Sequence, residues 1–180
     1  MRARQPTVPT VWLVTDARND AVLERVMARL PRGSGVIFRH YHLAGVDRAA
    51  RFRVVAANAR RHGHSVVLSG PMTGARAWGA TGAYGSPAML APGPAGLRLV
   101  TAHGLREIAA ACRARADAIV LSPVFSTRSH PGGTSLGPVR FRLLARRAGL
   151  PFIALGGMDK RRARRLGNAR WAAIDGLLPN

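Results

Sequence analysis

A chain of 180 residues is long enough for one well-filled domain over 1–180, and 47% hydrophobic content with a mean hydropathy of +0.01 fits a globular protein. Its apolar runs are too short to span a bilayer, MRARQPTVPT lacks the apolar segment of a signal peptide, and the lone Cys112 excludes an internal disulfide, so a reduced, cytoplasmic protein without a membrane partner is expected. The net charge of +20 would attract any polyanion, but the basic residues (arginine throughout except Lys160) are dispersed and aromatics for base stacking are few, which disfavours nucleic acid as a partner.

Short apolar runs alternate with longer amphipathic ones, the pattern of repeated βα units. VWLVT (11–15) is a first strand with Asp16 at its tip. Asn19 or Asp20 then caps a helix over 21–30, where Val22, Leu23, Val26, Met27 and Leu30 share one face. GVIFRHY (35–41) is a second strand, a second helix opens at Asp47 and ends at Gly63, and HSVVLSG (64–70) is a third strand. PMTGARAWGA (71–80) reads as a short helix weakened by glycine, TGAYG (81–85) as a fourth strand, and SPAMLAPGPAG (86–96), with three prolines, as a stunted helix.

Regularity returns at the fifth strand, LRLVT (97–101), followed by the helix LREIAAACRAR. ADAIVL (116–121) is the sixth strand and VRFRLLARRAG the helix after it, ending at Gly149. PFIAL (151–155) is the seventh strand, a basic helix covers 159–167, and WAAIDGLL (171–178) is an eighth strand. Eight such steps predict a compact (β/α)8 TIM barrel with an abbreviated fourth unit and no terminal helix. An open doubly wound sheet is the alternative, but no G-x-G-x-x-G follows the first strand.

Three strand ends carry the chemistry. LSPVFSTRSHPGGTSLG (121–137) empties a buried strand into a loop of hydroxyls, glycines and cations, in which Thr127, Ser129 and His130, with Arg128, suit phosphate oxygens; an ordinary surface loop is the competing account. Gly156-Gly157 lets backbone N–H groups approach an anion beside a helix start, though a tight βα turn needs glycine anyway. His103, two residues past the fifth strand, suits proton transfer at a barrel mouth, or else hydrogen-bonds backbone near a helix start. Arg39 divides in the same way between anion clamp and surface charge. His40 and His42 hint at a metal, but no carboxylate or cysteine stands at ligand spacing beside them.

The order WLVTD, VIFRHY, VTAHG, ADAIVLSPVFSTRSHPGGTSLG and PFIALGGM resembles the thiamine-phosphate synthase/TenI family over nearly the whole chain, most strongly from 97 to 158. That resemblance implies a (β/α)8 barrel holding phosphorylated thiamine precursors, a thiazole or a pyrimidine, at its strand C-termini. One branch condenses hydroxymethylpyrimidine diphosphate with thiazole phosphate, releasing pyrophosphate with Mg²⁺; the TenI branch tautomerises a thiazole carboxylate phosphate. It further implies that Thr127 and Ser129 contact phosphate and that Gly156-Gly157 cradles the thiazole phosphate. Arg39 matches the family's strand-two arginine, Thr101 replaces its strand-five serine, His130 stands where lysine is usual, and His103 falls on the proton-transferring histidine of the TenI branch.

Two departures separate this chain from synthases. Ser69-Gly70 replaces an Asn-Asp pair after strand three, and YGSPAM holds no aspartate after strand four. Mg²⁺ favours carboxylate oxygens, so it is expected only if the synthase reaction holds. Tautomerase-type chemistry at His103 therefore fits the residues better than condensation. A non-catalytic phosphate-binding barrel and, remotely, a basic nucleic-acid-binding protein are the alternatives, and a homo-oligomer stays open.

Overall fold

The computed structural model describes residues 7–128, 132–167 and 169–178. Eight parallel strands follow one another around a closed barrel: β1 (Val11–Val14), β2 (Gly35–Phe38), β3 (Ser65–Ser69), β4 (Gly82–Gly85), β5 (Leu97–Ala102), β6 (Ala118–Leu121), β7 (Phe152–Ala154) and β8 (Arg170–Ala173). Between them lie α1 (Leu23–Arg29), α2 (Gly45–Arg61), α3 (Met72–Ala77), α4 (Pro87–Leu90), α5 (Leu105–Arg113), α6 (Gly137–Ala145) and α7 (Lys160–Arg165). The fold is the compact barrel that the periodicity predicts, with its fourth helix reduced to a single turn.

The period of two sorts each strand's side chains into two layers. Trp12, Val14, Ile37, Val67, Leu99, Val120, Ile153 and Ala172 fill the barrel, while Leu13, Val36, Phe38, Leu68, Val100, Ile119 and Leu121 pack outward against the helices. Full burial of each aliphatic side chain contributes roughly 1.5–3 kcal/mol. Trp12 is the largest interior residue, its Nε1–H donating to Pro9 O at 2.9 Å. Gly35 stands beside it in register, and a Cβ there would lie 2.2 Å from the indole, so this neighbour of Trp12 has to be glycine.

The barrel closes without a helix after β8 among the described residues. β1 pairs directly with β8 through Val11↔Trp171, Trp12↔Ala172 and Leu13↔Ala173. Buried Asn19 reinforces the seam, its Nδ2 donating to Val14 O at 2.9 Å and to Ile174 O at 3.2 Å. That bond corrects the expected N-cap at Asn19 or Asp20. A 3-10 turn over Ala17–Val22 precedes α1, and Asp16 caps it, accepting from Arg18 N while Asn19 Oδ1 accepts from Asp16 N. β8 also ends earlier than its apolar run implies. At Gly176 the chain passes so close to Met158 O that a Cβ would lie 2.0 Å away, and Leu178 N–H turns back to Asp175 O.

Candidate functional site

Continuing the period of two past the strand ends brings side chains to the barrel mouth. Beyond Ile37 the next inward position is Arg39, beyond Leu99 come Thr101 and His103, and beyond Val120 comes Ser122. These residues line one cavity of about 730 Å³, together with Thr127 and Arg128 after β6 and Gly156-Gly157 after β7. The three strand tips singled out in the sequence thus meet in one space. Ser129 and His130 lie outside the described residues.

His103 is held at both ends. Its backbone N–H donates to Glu107 Oε2 at 2.5 Å, and its ring Nδ1 lies 2.6 Å from the carbonyl oxygen of Ser122. A carbonyl accepts only, so Nδ1 carries the proton and Nε2 is left as the basic nitrogen of the neutral ring. Thr101 Oγ1 donates to Gly85 O at 3.2 Å across the β4–β5 seam. Tyr84 stands beside it, and burial pushes its phenol up to about 12, so it remains a neutral hydrogen-bonding group.

At the β7 tip both glycines have left-handed backbone, φ +97° at Gly156 and +58° at Gly157. A Cβ on Gly156 would lie 2.8 Å from Pro123 Cα, and one on Gly157 2.3 Å from Ser126 O. The turn therefore lies directly against the β6 loop, and glycine is required for conformation and for space together. Gly156 O accepts from Phe125 N–H at 3.1 Å and Gly157 O from the Arg162 guanidinium. For the two glycine N–H groups no acceptor is found among the described residues. The expected helix contribution is smaller than the sequence implies. α7 has six residues, and Asp159 Oδ1 takes the Arg162 N–H at 2.7 Å.

Arg39 is fixed from behind. β2 ends at Phe38, and Arg39 N–H donates to Thr15 Oγ1 at 2.9 Å. Fully buried Thr15 is also 2.7 Å from His40 Nδ1, whose Nε2 is 2.8 Å from Asp20 Oδ1. Asp20 in turn takes Arg51 Nε–H at 2.7 Å. Burial would raise the Asp20 carboxyl, but the hydrogen bonds from His40 and Arg51 outweigh it and hold it below the usual range. The fold thus supplies the carboxylate absent from the sequence around His40 and His42, with ligand atoms of all three within 4.8 Å. Both His40 nitrogens and Asp20 Oδ1 are nevertheless committed to protein partners, and a guanidinium shares the carboxylate. The group is a brace for the β2 tip.

The corner beside β3 is cationic too. Ser69 Oγ bonds Tyr41 OH at 2.5 Å, and Ser69 O accepts from Arg48 Nη2 at 2.9 Å, while Arg48 Nε donates to Arg39 O at 3.0 Å. The Arg48 guanidinium sits among the rings of Phe38, Tyr41 and Trp78, 5.5 to 5.8 Å from their centroids. On the far side Asp159 and Asp175 reach the rim, where Arg18 bridges Asp175 at 3.2 Å and Asp16 at 3.0 Å. The sequence pattern does not single out Tyr41, Tyr84 or Arg162 as site residues. Tyr84 was detectable as an inward position of β4, whereas Arg162 is hidden within a basic run.

The comparisons agree with this architecture. A family model described as thiamine monophosphate synthase matches residues 11–175. No curated protein matches the sequence. Among solved structures, a thiamine phosphate pyrophosphorylase from Pyrococcus furiosus superposes with a TM-score of 0.74 at 16% identity, over 92% of this chain and 84% of that one. One from Bacteroides thetaiotaomicron gives 0.59 at 12%, over 93% and 82%. A 2-keto-3-deoxy-6-phospho-gluconate aldolase from Zymomonas mobilis gives 0.61 at 12%, over 96% and 85%, so at these identities the structures speak for the barrel alone. The family model, matching residues 11–175 of the 180, places the chain in the thiamine-phosphate synthase/TenI family.

Proposed function

We propose that the protein acts on a thiazole phosphate by proton transfer through His103, a tautomerase-type reaction of thiamine biosynthesis. The observation that carries this reading is the Nδ1–H of His103 on Ser122 O, which leaves Nε2 as a base on the wall of the cavity that also holds Gly156-Gly157 and Thr127. In the proposed step Nε2 takes a proton from the substrate carbon, Ser122 O stabilises the imidazolium, and the same proton returns at a second ring position. No atom or electron is gained or lost. The glycine N–H groups and Thr127 would hold the phosphate, with Ser129 and His130 as further contacts, while Arg39 would bind a second anionic group and Thr101 support the wall between them.

General acid–base catalysis contributes about 10² to 10⁴ in rate. His103→Asn is therefore expected to lower kcat on the thiazole carboxylate phosphate by about that factor, with KM within about threefold. Full turnover by the variant would remove the assignment.

Condensation to thiamine phosphate is the second reading, supported by the description of the matching family model. The Mg²⁺ it implies does not fit the residues present. Where the resemblance places its ligands, Ser69 is bonded to Tyr41 and Arg48, and the β4 end is Gly85-Ser86. Formation of thiamine phosphate from the two precursors would restore this reading. No helix among the described residues is long and apolar enough to cross a membrane.

A further inference from the structure

The run KRRARR of α7 reads as solvated surface charge, yet helical geometry turns one member inward. Ala163 and Leu166 are buried against the core, Lys160, Arg161, Arg164 and Arg165 are exposed, and Arg162 lies on the cavity wall. Its guanidinium is 5.0 Å from the centroid of the Phe125 ring, and its Nη1 donates to Gly157 O. The Phe125 ring and the bond to Gly157 O hold the guanidinium in place, and five N–H donors leave several beyond the one used on the turn. Arg162 lines the same cavity as Gly156 and Gly157, with Arg128 also on its wall. The carboxylates of this rim are already engaged: Asp175 pairs with Arg18, and Asp159 caps α7 with Arg162 Nε 3.8 Å away.

Building on the reading of this cavity as a phosphate site, we propose that Arg162 is a ligand-binding residue that neutralises the phosphoryl group directly, making anion binding here independent of divalent metal. An aspartate-bound cation bridges phosphate oxygens by electrostatics, and a guanidinium does so by paired hydrogen bonds without needing free carboxylates. The ligand class is a phosphomonoester or diphosphate whose terminal oxygens reach the Gly156-Gly157 turn.

The test is calorimetric titration of the whole protein with inorganic pyrophosphate, in EDTA and then in excess Mg²⁺. Binding in EDTA is expected to be at least as tight as with Mg²⁺. R162Q should weaken it tenfold or more and R162K by an intermediate factor. R164Q, which removes the same charge from the outer face of the same helix, should stay within twofold. A tenfold requirement for Mg²⁺, or equal effects of R162Q and R164Q, overturns the proposal. Turnover of the thiazole substrate separates this claim from the preceding one: Arg162-dependent binding without turnover sinks only the proposed activity, and turnover indifferent to R162Q sinks only the role of Arg162.

Discussion

Two glycines with nearly equal positive φ and different surroundings isolate what the β7 turn does. Gly157 has φ +58° and Gly149 φ +63°, but a Cβ on Gly157 would lie 2.3 Å from Ser126 O and 3.1 Å from Phe125 Cβ, whereas one on Gly149 meets nothing within 4 Å. Gly149→Ala incurs only the left-handed penalty of roughly 1–2 kcal/mol. Gly157→Ala adds a clash with backbone, and overpacking of that kind costs about 1–3 kcal/mol more. For a domain of this size each kcal/mol moves Tm by about 2–4 °C. Gly149→Ala should therefore melt roughly 2–8 °C below wild type, and Gly157→Ala roughly 4–20 °C below. The functional contrast is sharper. Relieving the contact moves the turn away from the Ser126 loop, so phosphate-ligand affinity should fall at least about tenfold in Gly157→Ala, since a displaced donor loses its bond and leaves a desolvated group. Gly149→Ala should bind as wild type. Thermal melts and calorimetry on both variants decide the matter, and indistinguishable behaviour would refute the claim that the turn is a close-fitting ligand cradle.

Other consequences are equally direct. Gly35→Ala should destabilise strongly, by about 3 kcal/mol or more, because the added methyl would sit 2.2 Å from the Trp12 ring; a melt within 2 °C of wild type would contradict the account of the barrel interior. The His40 brace gives a pH dependence of definite sign. Burial lowers His40 below its ordinary value of 6.5, so the unfolded chain takes up this proton more readily than the native one. Stability from this residue is complete above 6.5 and is lost as pH falls through the depressed native value. Asp16 and Asp20, lowered by Arg18 and by His40 with Arg51 against the opposing effect of burial, add losses of the same sign at more acid pH. Urea midpoints should fall from pH 7 to 5 in wild type and fall less steeply in His40→Gln; an unchanged slope would contradict the brace.

Most of the barrel is legible in the sequence because its strands are short apolar runs whose alternate residues face opposite layers. The same parity carries Arg39, Thr101 and His103 to the mouth, which is why local patterns lead to one cavity. What is not legible depends on contacts between distant segments. Asn19 has the composition of a helix cap, and only closure of β1 against β8 shows it bonded to Val14 and Ile174. The carboxylate beside His40 comes from Asp20, 20 positions earlier, through a 3-10 turn that the periodicity does not suggest. Arg162 differs from its neighbours in KRRARR only by the angle at which it leaves the helix. The strand-like run 171–178 stops early because the chain packs tightly on Met158 at Gly176, a tertiary constraint with no local signature.

In the proposed function the tips after β5, β6 and β7 form one phosphate-binding pocket served by His103. Its most direct test is a crystal structure with the thiazole carboxylate phosphate bound. Phosphate oxygens are expected within hydrogen-bond distance of the Gly156 and Gly157 N–H groups and of Thr127, with His103 Nε2 facing the ring. A phosphate lodged outside this cavity, or a ring turned away from His103, would contradict it.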